Sequence, residues 1–175
     1  MKVLAATVCL VLVFAAQATA QSTIFVVRHA ERTDTPIPGS PPPKPAPPGQ
    51  PPDPDLSPAG HARAESLAFT LRNAGITAIY VTSLKRTQQT AAPLAKALSL
   101  TPVVLAPGET PALIQRLREH RGAALVVGHG NTVPEIVKLL GVKDPVAVAD
   151  SEFDHLFVVT TPAAGLPTFV RLHYR

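Results

Sequence analysis

Two short runs, Ile24-Phe25-Val26-Val27 and Ala124-Leu125-Val126-Val127, are apolar at every position. A strand with one face in water alternates apolar and polar residues. A run without alternation must be covered on both faces, which calls for a largely parallel sheet packed between helices. The intervening sequence supplies those helices. Ser57-Pro58 pairs an N-cap residue with proline at the first turn, Ala64, Leu67, Ala68 and Leu71 then recur at helical spacing, and Gly75 ends the run. Ile76–Val81 predicts a second strand, and Thr82 or Ser83 is expected to cap a helix through about Leu98. A short strand at Pro102–Leu105, a helix from Thr110-Pro111 to about His120 and a helix over Thr132–Leu140 follow. Phe153–Thr160 and Thr168–Tyr174 read as closing strands. The expected fold class is α/β, a three-layer α/β/α sandwich with a mostly parallel sheet.

With 175 residues, 46% apolar and 16% charged, the chain suits one domain with a full core. Residues Met1–Ala20 read as a secretory signal peptide: Lys2, an apolar stretch over Val3–Ala16, and a small-x-small site at Ala18-Thr19-Ala20. The stretch is shorter than the roughly 20 residues of a membrane span, so an exported protein (periplasmic or secreted) with no stable membrane anchor is expected. The domain then occupies 21–175. Cys9, the one cysteine, falls inside the signal, which leaves no cysteine for a disulfide or a multi-cysteine metal site. Eleven of the nineteen residues from Pro36 to Pro54 are proline, read as a surface loop inserted early in the domain. A formal charge of +4, no tryptophan and no Lys/Arg run fit a protein that handles small anions, and give no support for nucleic acid as a partner.

Polar residues sit where the apolar runs stop. Ile24–Val27 leads into Arg28-His29-Ala30-Glu31, and Ala124–Val127 into Gly128-His129-Gly130-Asn131-Thr132. Ligands of parallel sheets bind beyond the carboxyl ends of the strands, so His29 and His129 are expected on one rim, with Arg86 joining them from the first turn of the helix after the second strand. Arginine forks match phosphate oxygens. A neutral imidazole among cations can attack phosphorus, with guanidiniums stabilising the equatorial oxygens of the transition state. This chemistry needs no metal and no other cofactor. His61, His120, His155 and His173 show no ligand spacing and read as surface or packing residues.

Four ordered elements carry a family resemblance: Arg28-His29-Ala30-Glu31, Leu56-Ser57-Pro58-Ala59-Gly60, Thr82-Ser83-Leu84-Lys85-Arg86-Thr87-Gln88-Gln89-Thr90-Ala91, and Gly128-His129-Gly130. Together they resemble the histidine phosphatase superfamily, the phosphoglycerate-mutase-like branch 1. The resemblance implies a phosphoglycerate mutase-like fold and a metal-independent phosphatase. His29 would be the phosphorylated nucleophile, Arg28 and Arg86 would bind phosphate, and His129 would contact phosphate and the transition state. Glu109, ahead of Thr110-Pro111, is the expected general acid. Its rivals are Glu31, which also reads as a salt-bridge residue, and Glu135, which also reads as the end of a Thr132–Glu135 capping box. The expected substrate is a small phosphorylated molecule or a phosphoprotein. Two other readings stay open: a phosphomutase or phosphotransferase using the same site, and a non-catalytic anion-binding domain.

Overall fold

The computed structural model describes residues 21–35 and 53–175; the signal-like segment 1–20 and residues 36–52 of the Pro-rich loop lie outside the described residues. The strands are β1 (Ser22–Arg28), β2 (Ile76–Thr82), β3 (Val103–Leu105), β4 (Gly122–Gly128), β5 (His155–Thr161) and β6 (Thr168–His173). The helices are α1 (Pro58–Leu71), α2 (Lys85–Leu98), α3 (Thr110–Glu119) and α4 (Thr132–Leu139). One six-stranded sheet runs β3-β2-β4-β1-β5-β6. The first four strands are parallel, and β5 and β6 are added antiparallel at the β1 side.

The uninterrupted apolar runs have the cause expected of them. On one face, Ile24, Val26, Ala124 and Val126 pack against Leu113, Ile114 and Leu117 of α3 and Val133, Ile136 and Val137 of α4. On the other, Val27, Leu125 and Val127 pack against Leu67 and Leu71 of α1 and Ala91 and Leu94 of α2. The sheet is thus the middle of three layers. The two central strands pair in register from Ser22↔Gly122 to Arg28↔Gly128. A further bond from the His29 N–H to the Gly128 carbonyl, 2.9 Å, carries the pairing one residue past the strands.

Three local expectations are corrected. No side chain at Thr82, Ser83 or Leu84 caps α2; the Asp53 carboxylate accepts from the Lys85 N–H instead, at 3.0 and 3.2 Å. The Thr132–Glu135 capping box does not form, because the Thr132 hydroxyl turns back to accept from the His129 N–H at 2.9 Å. Strand β5 starts at His155 rather than Phe153, whose ring lies under the Arg28 guanidinium, 4.2 Å from the ring centroid.

Two close approaches fix the rim. A Cβ on Gly60 would lie 2.1 Å from the Glu31 carbonyl oxygen, so only glycine lets the start of α1 pass the segment after β1. A Cβ on Gly128 would lie 3.0 Å from Thr132 Oγ1 and 3.2 Å from Val133 Cγ2, where α4 seats on the end of β4.

Candidate active site

Because β1 and β4 are neighbours with Arg28 opposite Gly128, the residues that follow them emerge side by side. The His29 and His129 rings are 5.5 Å apart between centroids, although a hundred positions separate them in sequence. Both border a cleft of about 570 Å3 at the carboxyl edge of the sheet, together with Arg28, Arg32, Arg86 and Glu135.

Each ring is held. His29 Nδ1 is 2.8 Å from the Ala30 carbonyl, which can only accept, so Nδ1 carries the proton and Nε2 keeps the lone pair. His129 Nε2 is 3.1 Å from the Thr82 hydroxyl, and its Nδ1 is buried with no partner. Burial first, then Arg86 and the other nearby positive groups, lowers the His29 pKa to about 3; burial and then Arg86, Arg28 and Arg32 lower that of His129 to about 4. Both imidazoles are therefore neutral near pH 7, the state a nitrogen nucleophile needs.

The guanidiniums are only partly satisfied. Arg28 Nη1 donates to the carbonyls of Ala149 (2.8 Å), Asp150 (3.1 Å) and Glu152 (3.1 Å), yet Arg28 Nε has no partner. Arg86 Nε and Nη1 likewise make no hydrogen bond; Asp53 Oδ1 lies 3.7 Å from Nη1, a distance for attraction rather than bonding. Burial pushes both arginines below their ordinary pKa range, and neighbouring cations add to it. Four buried nitrogens without partners, on Arg28, Arg86 and His129, thus collect around one cleft. An oxyanion would satisfy them and relieve the crowding of positive charge.

Threonines brace this arrangement. Thr90 Oγ1 accepts from the Ala30 N–H at 2.9 Å and donates to the Arg86 carbonyl at 2.7 Å, tying the segment after β1 to α2. Thr87 Oγ1 accepts from the Thr82 N–H at 3.1 Å, and Thr87 and Thr90 are both fully buried. Sequence reasoning did not single out these roles, nor Arg32, whose guanidinium borders the cleft while pairing with Asp34 at 2.9 Å. The signal for Arg32 was present: a third arginine four positions after Arg28.

The three carboxylate candidates separate clearly. Glu31 is clamped by Arg63 at 2.7–2.9 Å. Glu109 Oε2 accepts from the Ala106 N–H at 2.9 Å, closing its own loop, and the residue lines the adjoining pocket shared with His129 and Thr132 rather than the cleft itself. Glu135 does border the cleft, 3.5 Å from the Thr110 hydroxyl. The structure therefore gathers His29, His129, Arg28, Arg86, Arg32 and Glu135 around one cleft, and sets Glu109 in the adjoining pocket that also holds Thr110, His129 and Thr132.

The sequence and the fold both have matches among known proteins. The histidine phosphatase superfamily (branch 1) model matches residues 24–108. No curated protein matches the sequence. Among solved structures, the chain is similar to the protein histidine phosphatase SixA complexed with tungstate (TM-score 0.65, 18% identity, covering 86% of this chain and 96% of that one). It is also similar to a putative alpha-ribazole-5'-P phosphatase from Escherichia coli K-12 (TM-score 0.63, 15% identity, 87% and 96% covered). A third is the phosphoglycerate mutase of Plasmodium falciparum (TM-score 0.56, 14% identity, 87% and 91% covered). These identities speak to the fold, which is phosphoglycerate mutase-like.

Proposed function

On the match of residues 24–108 to the histidine phosphatase superfamily (branch 1) model, we propose that the chain hydrolyses phosphate monoesters through a phosphohistidine on His29. The observation that carries this reading is the pair of neutral imidazoles 5.5 Å apart beside buried arginine nitrogens that lack partners. His29 Nε2 attacks phosphorus as the bond to the leaving oxygen breaks. Arg28, Arg86 and His129 hold the three equatorial oxygens, where negative charge spreads in the transition state. Glu135, the carboxyl group of the three that faces the cleft, supplies a proton to the leaving oxygen. Water then attacks phosphorus, returning a proton to Glu135, and the N–P bond breaks to release phosphate.

The substrate is a small phosphorylated molecule or a phosphoprotein. The similar structure solved with tungstate, a tetrahedral oxyanion, is a protein histidine phosphatase, which makes a phosphohistidine-bearing protein a natural member of the test set. The leader-like residues 1–20 support the further proposal that the domain acts after export.

The test is turnover of p-nitrophenyl phosphate by the purified chain in excess chelator. Activity is expected to persist, an acid-labile phosphoprotein is expected on quenching, and His29→Ala is expected to reduce both to background. Near-wild-type activity in that variant would reject the nucleophile assignment. Phosphate passing to an added alcohol in preference to water would turn the reading toward a phosphotransferase.

A further inference from the structure

On the far side of the turn that holds Arg28, the described residues bring together a second chemical cluster. One ligand atom from each of Asp154, His155 and His173 lies within 4.8 Å of the others. We propose that these three side chains bind a divalent transition metal ion of the Zn2+ type, with water completing its coordination.

Sheet register builds the site. His155 and His173 are directly opposed in the β5–β6 ladder, so both side chains leave the same face, with ring centroids 4.5 Å apart. Asp154 Oδ2 is 3.1 Å from His173 Nδ1, and Glu152 Oε2 is 3.3 Å from His155 Nε2. These pairings alone leave a remainder. His155 is 7% exposed, and its Nδ1 is buried with no partner. A buried imidazole with an unpaired nitrogen, packed against a second imidazole and clustered with a carboxylate, is suited to hold a cation.

The chemistry of the donors selects the ion. Two imidazoles and a carboxylate suit Zn2+, Ni2+ or Cu2+; Ca2+ and Mg2+ ask for oxygen cages. Tetrahedral Zn2+ with ligands at about 2.0–2.1 Å places neighbouring ligand atoms about 3.3 Å apart. The present spread closes to that by small rotations, because Asp154 and His173 are 38% and 54% exposed at the side chain. That exposure also gives the ion an entry path. Because the Glu152 carbonyl accepts from Arg28 Nη1 at 3.1 Å, an ion here would stiffen the turn that positions a cleft arginine.

The test is metal binding by the tag-free full chain, stripped with chelator and dialysed. Zn2+ is titrated by calorimetry and Co2+ by visible absorption. One equivalent is expected to bind with Kd on the order of micromolar or tighter, with Co2+ bands of a four-coordinate nitrogen–oxygen site. His173→Gln, at an exposed position, is expected to weaken binding at least about tenfold while leaving the metal-free melting temperature and p-nitrophenyl phosphate turnover unchanged. Asp154→Asn gives the second arm should His173→Gln fold poorly. His129→Ala is expected to keep the full equivalent. The proposal is overturned if His173→Gln and Asp154→Asn both bind as wild type, if His129→Ala loses the equivalent, or if the wild-type chain binds Zn2+ no more tightly than about 100 μM.

Discussion

A proton on either cleft imidazole opposes folding. In the unfolded chain a histidine titrates near 6.5, whereas burial and the arginines lower His29 to about 3 and His129 to about 4. Between those values and 6.5 the unfolded state binds more protons, so stability falls as pH falls. The loss begins near 6.5 and levels off only below the folded values. From pH 7 to pH 5 each imidazole is expected to cost about 2 kcal/mol. Urea unfolding at the two pH values measures the sum, and His129→Gln is expected to remove about half of it. Catalysis should behave differently. kcat/KM reports free-enzyme groups, so after correction for the ester's own ionisation it should show no acid limb near 6.5, because both imidazoles are already neutral there. The acid role is a separate residue-scale question. Glu135→Gln is expected to reduce kcat about 10²- to 10⁴-fold on an alkyl phosphate, and far less on p-nitrophenyl phosphate, whose leaving group needs no proton. Glu109→Gln is expected to stay within about threefold on both, since that carboxylate serves the Ala106 N–H. Steady-state kinetics on the two esters checks all four values. The same contrast marks what the sequence could say of this site. His29, His129, Arg28 and Arg86 were legible because strand ends and a helix start fix where they point. The choice between Glu109 and Glu135 was not legible, because a place in the chain says nothing about which way a side chain turns.

Among the elements, the strands were readable and the caps were not. β1 and β4 announce themselves because apolar residues on both faces have helices to meet. The cap of α2 comes from Asp53, thirty-two positions before Lys85, a contact that no local pattern encodes. Thr132 looked like the first residue of a capping box, yet its hydroxyl serves the His129 N–H, so the site took a group that local chemistry assigned to the helix. Gly60 gives a prediction at this scale. Any side chain there meets the Glu31 backbone at a forbidden distance, and both partners are main chain, so neither can turn aside. Gly60→Ala is expected to cost about 2–3 kcal/mol, read as a lower urea midpoint. Turnover is expected to fall as well, because the displaced segment carries His29 and Ala30.

For the molecule as a whole, the Pro-rich loop is held at its base. The Asp55 carbonyl accepts from the Thr33 N–H at 3.0 Å, Arg32 bridges Leu56, and Asp53 reaches Lys85 and Arg86. All of these anchors lie outside residues 36–52. Replacing 36–52 by a short Gly/Ser linker is therefore expected to leave p-nitrophenyl phosphate turnover within about threefold of wild type. A larger loss would show that the loop reaches the cleft.

The strand order has a consequence for the growing chain. β4 is the fourth strand to be made, yet it lies between β2 and β1, which do not touch each other. A nascent chain that has passed the region matched by the family model, residues 24–108, still holds two unjoined pieces of sheet and half of the proposed catalytic pair. Nothing chemical can happen until Gly122–Gly128 slots between them. On the proposed chemistry, recovery of activity during refolding thus becomes a clock for the insertion of β4 between β2 and β1.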